Sequence, residues 1–309
     1  MMVERLSMNP LARIKRFANR AGSPAAIVSK LAEEAAVRAW SYESVRSALR
    51  PLFSAREPQS WAFLVGCYNS GTTLLQHILS AHPEIAGLPR EGVRFTDMLS
   101  NLETNGHHMM WDKGYRDLLS PNVPDEVAYR RILKDWAPFL DRKASIYLDK
   151  SVANAARVTW LDQAFPKARF VGIYRNGYCI AEGLHRRAIP PQRLHDAFGG
   201  NAYPLEVTGQ QWVTANEDML RDFETAEHSL LIRFEDLIAD PITNLQSIFT
   251  FLGTDPPDMN IEDKVLHVAG KPFTLRNPNA SSLARLSEDD KTRLKPVIGP
   301  MMHRLGYEP

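Results

Sequence analysis

The chain has 309 residues, and its 37 Lys plus Arg are balanced by 36 Asp plus Glu. A net charge near zero argues against binding nucleic acid or any other polyanion through overall charge, although it is compatible with a local basic pocket. The length suits one large domain or two small ones.

Two cysteines, Cys67 and Cys179, have neither the spacing of a metal site nor the density of a disulfide framework. This composition favours a reducing compartment. We find no apolar run long enough to cross a bilayer and no signal-peptide pattern at Met1. We therefore expect a cytoplasmic protein without a transmembrane segment.

Residues 1–58 are polar and predicted to be helical, as an N-terminal extension before a main domain over residues 59–309. Within the extension, residues 11–20 are basic and mildly amphipathic. Such a helix is compatible with peripheral contact to a membrane surface or a partner. A packed or frayed helical extension is the favoured interpretation.

The main domain alternates apolar runs with amphipathic segments. Buried strands are predicted at residues 61–66, 146–148, 170–174 and 230–234, and helices at residues 72–80, 155–165 and 241–252. This order predicts an α/β, P-loop-type three-layer fold with a central parallel sheet flanked by helices. In such folds, ligands bind beyond the carboxyl ends of the strands.

A glycine-rich loop, GCYNSGTT, joins the first predicted strand to the first helix and runs from Gly66 to Thr73. Backbone N–H groups in such a loop, together with the helix dipole, hold a phosphate. Thr72 stands where a P-loop has its lysine, and we find no convincing Walker-B strand, since Tyr174 is followed by Arg175 where a magnesium site requires a carboxylate. The loop therefore suits a single 5′ phosphate, and a P-loop small-molecule kinase is the alternative that it disfavours.

Three segments in this order resemble the PAPS-dependent sulfotransferase family, in its bacterial and Golgi-type branch with the tyrosylprotein and glycan enzymes. They are VGCYNSGTTLLQHILSAHPEIAGL, DKSVANAARVTWLDQAFPKARFVGIYRN and LIRFEDLIADPITNLQSIFTFLG. The resemblance implies transfer of a sulfonate group from PAPS to an acceptor hydroxyl, with no metal requirement. It also implies that Ser70, Gly71, Thr72 and Thr73 bind the 5′ phosphate and sulfonate, and that Arg175 binds the 3′ phosphate.

The chain departs from the family pattern at two donor-binding positions. Asn69 stands where the family carries Lys or Arg beside the leaving phosphate, and can donate only an uncharged hydrogen bond. Gly183 stands where the family has a serine for the 3′ phosphate. We expect a substitute for that serine in the C-terminal stretch, from a set of three residues: Lys271, Arg276 and Asn279. These losses leave a non-catalytic nucleotide binder on the same fold as a further alternative.

The catalytic base is assigned by the same resemblance. Val152 occupies the position of the histidine base of cytosolic members, whereas Glu91 lies where the Golgi and bacterial branch has its glutamate. We therefore expect Glu91 to be the base and Lys150 to be the cation on the sulfonate and bridging oxygen. The acceptor is expected to be a hydroxyl compound, with a carbohydrate or glycolipid preferred, in a pocket shaped by residues 94–143.

Overall fold

The computed structural model describes residues 32, 34–101, 106–112, 120–263 and 265–308. The chain divides into two compact units, Met1–Leu52 and Phe53–Pro309. The expected division into an extension over residues 1–58 and a domain over residues 59–309 remains a proposal. The basic piece at residues 11–20 lies outside the described residues.

Two helical stretches make up the described part of the first unit. Residues 34–40 are helical, helix α1 spans Glu43–Leu49, and a 3₁₀ turn covers Arg50–Leu52. Arg46 is buried, and its guanidinium donates to the carbonyls of Trp40 and Ser41 at 3.0 and 2.9 Å. This arginine therefore ties α1 to the turn that precedes it.

A five-stranded sheet forms the centre of the second unit, and all of its pairings are parallel. Its strands are β1 (Ser60–Gly66), β2 (Ile85–Gly87), β3 (Ile146–Asp149), β4 (Ala168–Tyr174) and β5 (Ser229–Arg233), in the order β2-β3-β1-β4-β5. This order places β1 between β3 and β4, so that the segments leaving these three strands emerge side by side. The predicted fold class is confirmed. Within this sheet, β2 is the strand that the sequence analysis did not predict.

Helices connect these strands and continue to the C-terminus. They are α2 (Thr72–Leu79), α3 (Asp125–Trp136), α4 (Val158–Ala164), α5 (Gly177–Arg187), α6 (His195–Phe198), α7 (Leu205–Phe223), α8 (Phe234–Ala239), α9 (Pro241–Leu252), α10 (Asn279–Leu283) and α11 (Glu288–Arg304). The helix expected over residues 155–165 is split into a 3₁₀ turn at Val152–Ala156 and α4.

The strand β1 has a hydrophobic core on each face, because successive side chains of a strand point to opposite sides. Ala62 and Leu64 belong to an aliphatic cluster that includes residues of α2 and α9. Trp61 and Phe63 lie in an aromatic cluster on the other face, where both rings contact Phe165 at centroid distances of 5.1 Å. Burial on both faces explains why β1 is apolar at every position from Trp61 to Val65.

A small antiparallel sheet follows α9. It consists of β6 (Met259–Glu262), β7 (Val265–Val268) and β8 (Lys271–Thr274), in sequence order. Leu266 and Val268 of β7 are buried and join the aliphatic cluster, whereas β6 is mostly exposed. Short strands with a single buried face carry little hydrophobic signal, and this explains why the sequence did not predict them.

Candidate active site

The glycine-rich loop runs between the end of β1 and the start of α2. Gly66 and Gly71 have positive φ angles of 151° and 102°. A Cβ at Gly66 would lie 2.3 Å from the carbonyl oxygen of Ile173, and one at Gly71 would lie 2.6 Å from Cδ2 of Phe234. Both positions therefore require glycine, for the backbone angle and for close approach to neighbouring atoms.

Several donors in this loop have no protein acceptor. Ser70 is fully buried, and its Oγ has no hydrogen-bond partner among the described residues; the same holds for Nδ2 of Asn69. Gly71 precedes α2 without a side-chain cap, so the first-turn N–H groups at Thr72 and Thr73 lack acceptors. Buried unsatisfied donors are costly, and a bound phosphate would satisfy them. The loop residues therefore fit a phosphate group.

Arg175 follows β4 and lies against the glycine-rich loop. Its Nη1 donates to the carbonyl oxygen of Asn69 at 2.9 Å, and its guanidinium lies 4.8 Å from the centre of the Phe234 ring. Burial lowers the pKa of Arg175, but an arginine remains charged at neutral pH. A cation is thus fixed at the carboxyl end of β4, beside the phosphate loop.

Asn279 is the member of the expected C-terminal set that contacts Arg175. Its Oδ1 accepts a hydrogen bond from Nε of Arg175 at 2.8 Å. Lys271 lies in β8, and Arg276 lies in the segment between β8 and α10. Asn279 thus orients the guanidinium of Arg175.

Glu235 supports this arrangement from α8. Its Oε1 accepts hydrogen bonds from Nδ2 of Asn279 at 2.7 Å and from the backbone N of Asn176 at 3.1 Å. Its Oε2 accepts from the hydroxyl of Tyr307 at 2.7 Å. One carboxylate therefore connects α8, the start of α5 and the C-terminal segment.

Arg187, in the last turn of α5, is a functional candidate that the sequence analysis did not single out. Its Nη1 donates to Oδ1 of Asn69 at 2.6 Å, so the guanidinium groups of Arg175 and Arg187 both contact Asn69 of the glycine-rich loop. Gly183 lies one helical turn before Arg187, and a Cβ there would be 3.2 Å from Nδ2 of Asn69. Spacing could have revealed this face, because residues four apart on a helix are neighbours.

Glu91 and Lys150 come together at the carboxyl end of β3. Nζ of Lys150 lies 3.2 Å from Oε1 of Glu91, and the two side chains are 10% and 21% exposed. Both expected catalytic residues are therefore in direct contact in a partly buried position. A carboxylate can accept a proton from a hydroxyl, and an ammonium beside it can stabilise negative charge on a neighbouring oxygen.

The adjacent histidines in the loop after β2 do not form a metal site with other described residues. Nδ1 of His107 lies 3.2 Å from the hydroxyl of Tyr203, and its Nε2 lies 3.4 Å from Nη2 of Arg193. No group of three or more His, Cys, Asp or Glu residues suited to a metal occurs among the described parts of the chain. Two parts of the expected acceptor segment, residues 102–105 and 113–119, lie outside the described residues.

A cavity of about 610 Å³ opens near the amino ends of the strands and is separate from these residues. Its lining includes Glu57, which precedes β1, together with Asp125, Tyr129 and Lys134 of α3. None of the predicted site residues lines it. The candidate site is instead defined by the phosphate loop and by the side chains at the carboxyl ends of β3 and β4.

Residues 62–258 match the model of the sulfotransferase family. The chain is 26% identical over 280 residues to protein-tyrosine sulfotransferase A of Caenorhabditis elegans, covering 80% of this chain and 67% of that protein. It is 24% identical over 268 residues to protein-tyrosine sulfotransferase 1 of Danio rerio, covering 80% of this chain and 72% of that protein. The residues matched by the family model include the glycine-rich loop, Glu91, Lys150 and Arg175.

Among solved structures, a sulfotransferase from Alicyclobacillus acidocaldarius is similar to this chain with a TM-score of 0.48 and 20% identity. The comparison covers 82% of this chain and 95% of that one.

The cytoplasmic prediction is wrong. The matched relatives are tyrosylprotein enzymes of the Golgi-type branch, not cytoplasmic ones. Cysteine content was a poor guide because Cys67 and Cys179 are both buried free thiols, and a core of this size needs no disulfides in any compartment.

No helix among the described residues is both long and apolar enough to span a membrane.

The family match covers more than half of the chain and includes the phosphate loop and the ends of β3 and β4. The resemblance seen in the three sequence segments is therefore confirmed, and the reaction is sulfonate transfer. The chain belongs to the PAPS-dependent sulfotransferase family and is a sulfotransferase enzyme.

Proposed function

We propose that this enzyme binds PAPS with its 5′ phosphate in the Gly66–Thr73 loop and its 3′ phosphate between Arg175 and Arg187. The unsatisfied donors at Ser70 and Asn69 support the first assignment. The second is supported by the two guanidinium groups that meet at Asn69. Arginine can form two parallel hydrogen bonds to a phosphate, and Arg187 then takes the place of the serine that is missing at Gly183.

We propose that Glu91 is the general base and Lys150 the cation that stabilises the sulfonate and the leaving oxygen. The observation that carries this assignment is the 3.2 Å contact between Lys150 Nζ and Glu91 Oε1. PAPS supplies an activated sulfonate when bound, and the protein residues act on the acceptor. Glu91 accepts the hydroxyl proton as the new S–O bond forms, while Lys150 stabilises negative charge where the old bond breaks.

Asn69 has a lesser role in this proposal. Its amide donates one uncharged hydrogen bond near the leaving phosphate, where the family pattern has a cation. Charge-assisted hydrogen bonds are roughly twice as strong as neutral ones. Lys150 therefore carries the charge stabilisation that Asn69 cannot supply.

We propose a tyrosine hydroxyl of a protein as the acceptor. Support comes from the relatives, which are named as protein-tyrosine sulfotransferases. A phenol has a pKa of about 10 and loses its proton to a carboxylate more readily than a sugar hydroxyl does. The carbohydrate acceptor expected from the sequence is not confirmed by any of these relatives.

Calorimetric titration tests the donor site directly. Adenosine 3′,5′-bisphosphate, the spent donor, is titrated against the enzyme in parallel with ATP, each with and without Mg²⁺. We expect tight binding of the bisphosphate that does not depend on the metal, and much weaker binding of ATP. Preference for ATP with Mg²⁺ would contradict the donor assignment, and binding of neither nucleotide would contradict the phosphate loop assignment.

Transfer of labelled sulfonate from PAPS tests the acceptor and the base. A tyrosine-containing peptide and an oligosaccharide are offered separately, and label in each is measured. We expect label in the peptide, and a loss of at least 100-fold in rate for Glu91→Gln, as removal of general base catalysis typically costs about 10²–10⁴-fold. Label in the oligosaccharide alone would overturn the tyrosine acceptor.

A further inference from the structure

The carboxylate of Asp149 lies at the end of β3, directly before Lys150, and is fully buried. Its Oδ1 accepts hydrogen bonds from the backbone N of Gly92 at 2.8 Å and from Oγ of Ser151 at 3.0 Å. Its Oδ2 accepts from Nδ2 of Asn154 at 2.8 Å. This side chain is therefore bonded to the residue that follows Glu91, although it lies 57 positions away in sequence.

The backbone after Glu91 is held from two further directions. Nε1 of Trp136 donates to the carbonyl oxygen of Gly92 at 3.1 Å, and the backbone N of Val93 donates to Oγ of Ser151 at 3.3 Å. A Cβ at Gly92 would lie 2.4 Å from Cζ2 of Trp136, so the loop is pressed against the ring. Asp149 supplies the acceptor at the centre of this arrangement.

We propose that Asp149 is a positioning residue that holds the Glu91 loop against β3 and thereby fixes Glu91 next to Lys150. The proposal rests on the proposed function of Glu91 as the base. Lys150 is fixed in the chain next to Asp149, and Glu91 is next to the backbone N–H that Asp149 binds. One buried carboxylate thus sets the distance between the two catalytic side chains.

The charged groups around Asp149 explain why it remains available as an acceptor. Burial and the neighbouring carboxylate of Glu91 raise its pKa, the hydrogen bonds from Gly92 and Ser151 and the ammonium of Lys150 oppose this rise, and the net pKa is about 6. Arg157 is also buried nearby, and its pKa is lowered by burial to about 10, so it stays cationic at neutral pH. At pH 7 the carboxylate is therefore ionised and can accept all three hydrogen bonds.

Asp149→Asn tests the role with little change in volume. If the new amide oxygen still accepts a hydrogen bond from the backbone N of Gly92, the new NH₂ group faces Nδ2 of Asn154. Two hydrogen-bond donors then face each other without an acceptor between them. We expect kcat for sulfonate transfer to fall at least tenfold, because small displacements of a catalytic group cost up to about 10²-fold in rate. The assay uses labelled PAPS with whichever acceptor, the tyrosine-containing peptide or the oligosaccharide, takes up label from the wild-type enzyme. If neither acceptor takes up label, release of labelled sulfate by hydrolysis of PAPS is measured instead.

Two readouts separate positioning from a general loss of structure. Adenosine 3′,5′-bisphosphate should bind Asp149→Asn within twofold of wild type, because the residues proposed to hold the phosphates are unchanged. Hydrogen exchange measured by mass spectrometry should rise in peptides covering residues 88–95 and stay unchanged in the phosphate loop. A structural defect alone would instead weaken bisphosphate binding and raise exchange in the strands.

A reciprocal variant and a matched control sharpen the test. In the double variant Asp149→Asn with Asn154→Asp, the amide oxygen at residue 149 accepts from the backbone N of Gly92, and its NH₂ group donates to the carboxylate at residue 154. Both hydrogen bonds are thus restored, and we expect recovery of at least part of kcat. Asp222→Asn is the control, since Asp222 is also buried and accepts from a backbone N–H, that of Thr159 at 3.2 Å, away from Glu91. We expect it to leave kcat within twofold.

The outcomes distinguish this inference from the proposed base. If Glu91→Gln slows transfer and Asp149→Asn does not, the positioning role is overturned and the base assignment stands. If Glu91→Gln keeps the wild-type rate, the base assignment fails and the inference fails with it. Should Asp149→Asn not fold, Ser151→Ala removes one donor to Asp149 and the acceptor of Val93; an unchanged kcat in that variant would overturn the inference.

Discussion

Single residues account for the positive charge beside the proposed phosphate loop, which lacks a lysine. Thr72 occupies the lysine position, and Asn69 brings no charge, so positive charge reaches the loop from neighbouring elements. Arg175 donates to the backbone of Asn69, and Arg187 donates to its side chain. The positive charge that contacts Asn69 thus comes from residues that follow β4, not from the loop itself.

Arg187→Ala should weaken binding of adenosine 3′,5′-bisphosphate by about 10- to 100-fold, since a hydrogen bond to a charged group contributes about 1.5–3 kcal/mol. Adenosine 5′-monophosphate, which lacks the 3′ phosphate, should bind the variant as well as it binds wild type. Calorimetric titration measures both. Arg186→Ala is the matched control, because Arg186 pairs with Glu182 instead, at 3.1 Å, and should leave bisphosphate binding unchanged.

An equal loss for the two nucleotides would show that Arg187 acts on the 5′ side or on loop structure, and would contradict its assignment to the 3′ phosphate.

At the scale of elements, the proposed catalytic pair, Glu91 and Lys150, comes from two segments that are distant in sequence. Lys150 follows a strand in the middle of the sheet, whereas Glu91 lies in a loop that has no regular strand to fix it. The loop is held through Gly92, whose N–H binds Asp149 and whose carbonyl accepts from Trp136 of α3. The indole ring of Trp136 therefore connects α3 to the loop that carries Glu91.

Gly92→Ala should lower the rate of sulfonate transfer at least tenfold while bisphosphate affinity stays within twofold. The added methyl group would lie 2.4 Å from Trp136, so the ring or the loop must move, and overpacking of this kind typically costs about 1–3 kcal/mol in stability. Steady-state transfer and urea unfolding measure the two effects. Gly200→Ala is the control, because a Cβ there has no atom within 4 Å and no positive φ angle.

A wild-type transfer rate in Gly92→Ala would show that the loop tolerates displacement and that the position of Glu91 is not tightly set.

At the scale of the whole molecule, the C-terminal segment completes a site that begins in the first strand. Tyr307 lies near the end of the chain and donates to Glu235, which binds Asn279, which in turn binds Arg175. Arg233 also lies over the Tyr307 ring, at 4.1 Å from its centre. The orientation of the proposed 3′-phosphate arginine therefore depends on contacts made more than a hundred residues later.

Tyr307→Phe should weaken bisphosphate binding by several-fold and lower the free energy of unfolding by about 1 kcal/mol, as expected for one hydrogen bond. Burial and the hydrogen bond to Glu235 raise the pKa of Tyr307, so the hydroxyl remains a donor across the neutral range. Titration calorimetry and urea unfolding are the measurements. Tyr129→Phe is the control, because its hydroxyl binds Glu57 near the amino ends of the strands and should affect stability alone.

If Tyr307→Phe and Tyr129→Phe both lose stability and both bind the bisphosphate like wild type, the hydrogen bond from Tyr307 to Glu235 does not help to orient Arg175.

The strands that carry the site were predictable because they are buried on both faces and read as uninterrupted apolar runs, as Trp61 to Val65 does. The choice of Glu91 and Lys150 as candidates followed from family resemblance, and the place of Arg175 at the carboxyl end of a strand followed from the apolar run before it; the contact between Glu91 and Lys150 was not predicted. Arg187 was missed because its charge and its place at a helix end are equally typical of a solvated side chain. Asn279 was one of three candidates, since no sequence pattern fixes which residue of an irregular segment reaches back to β4.

The contact of Asn69 with Gly183 and Arg187 links the two departures from the family pattern in a way that bears on how such a site can change during evolution. A Cβ at residue 183 would lie 3.2 Å from the Asn69 amide, so introducing a serine there crowds the asparagine that Arg187 binds. Introducing a lysine at residue 69 would remove the acceptor of Arg187 and place a third cation between two arginines. Both changes would disturb the hydrogen bond between Asn69 and Arg187, so substitutions at residues 69 and 183 are each epistatic with the side chain at residue 187.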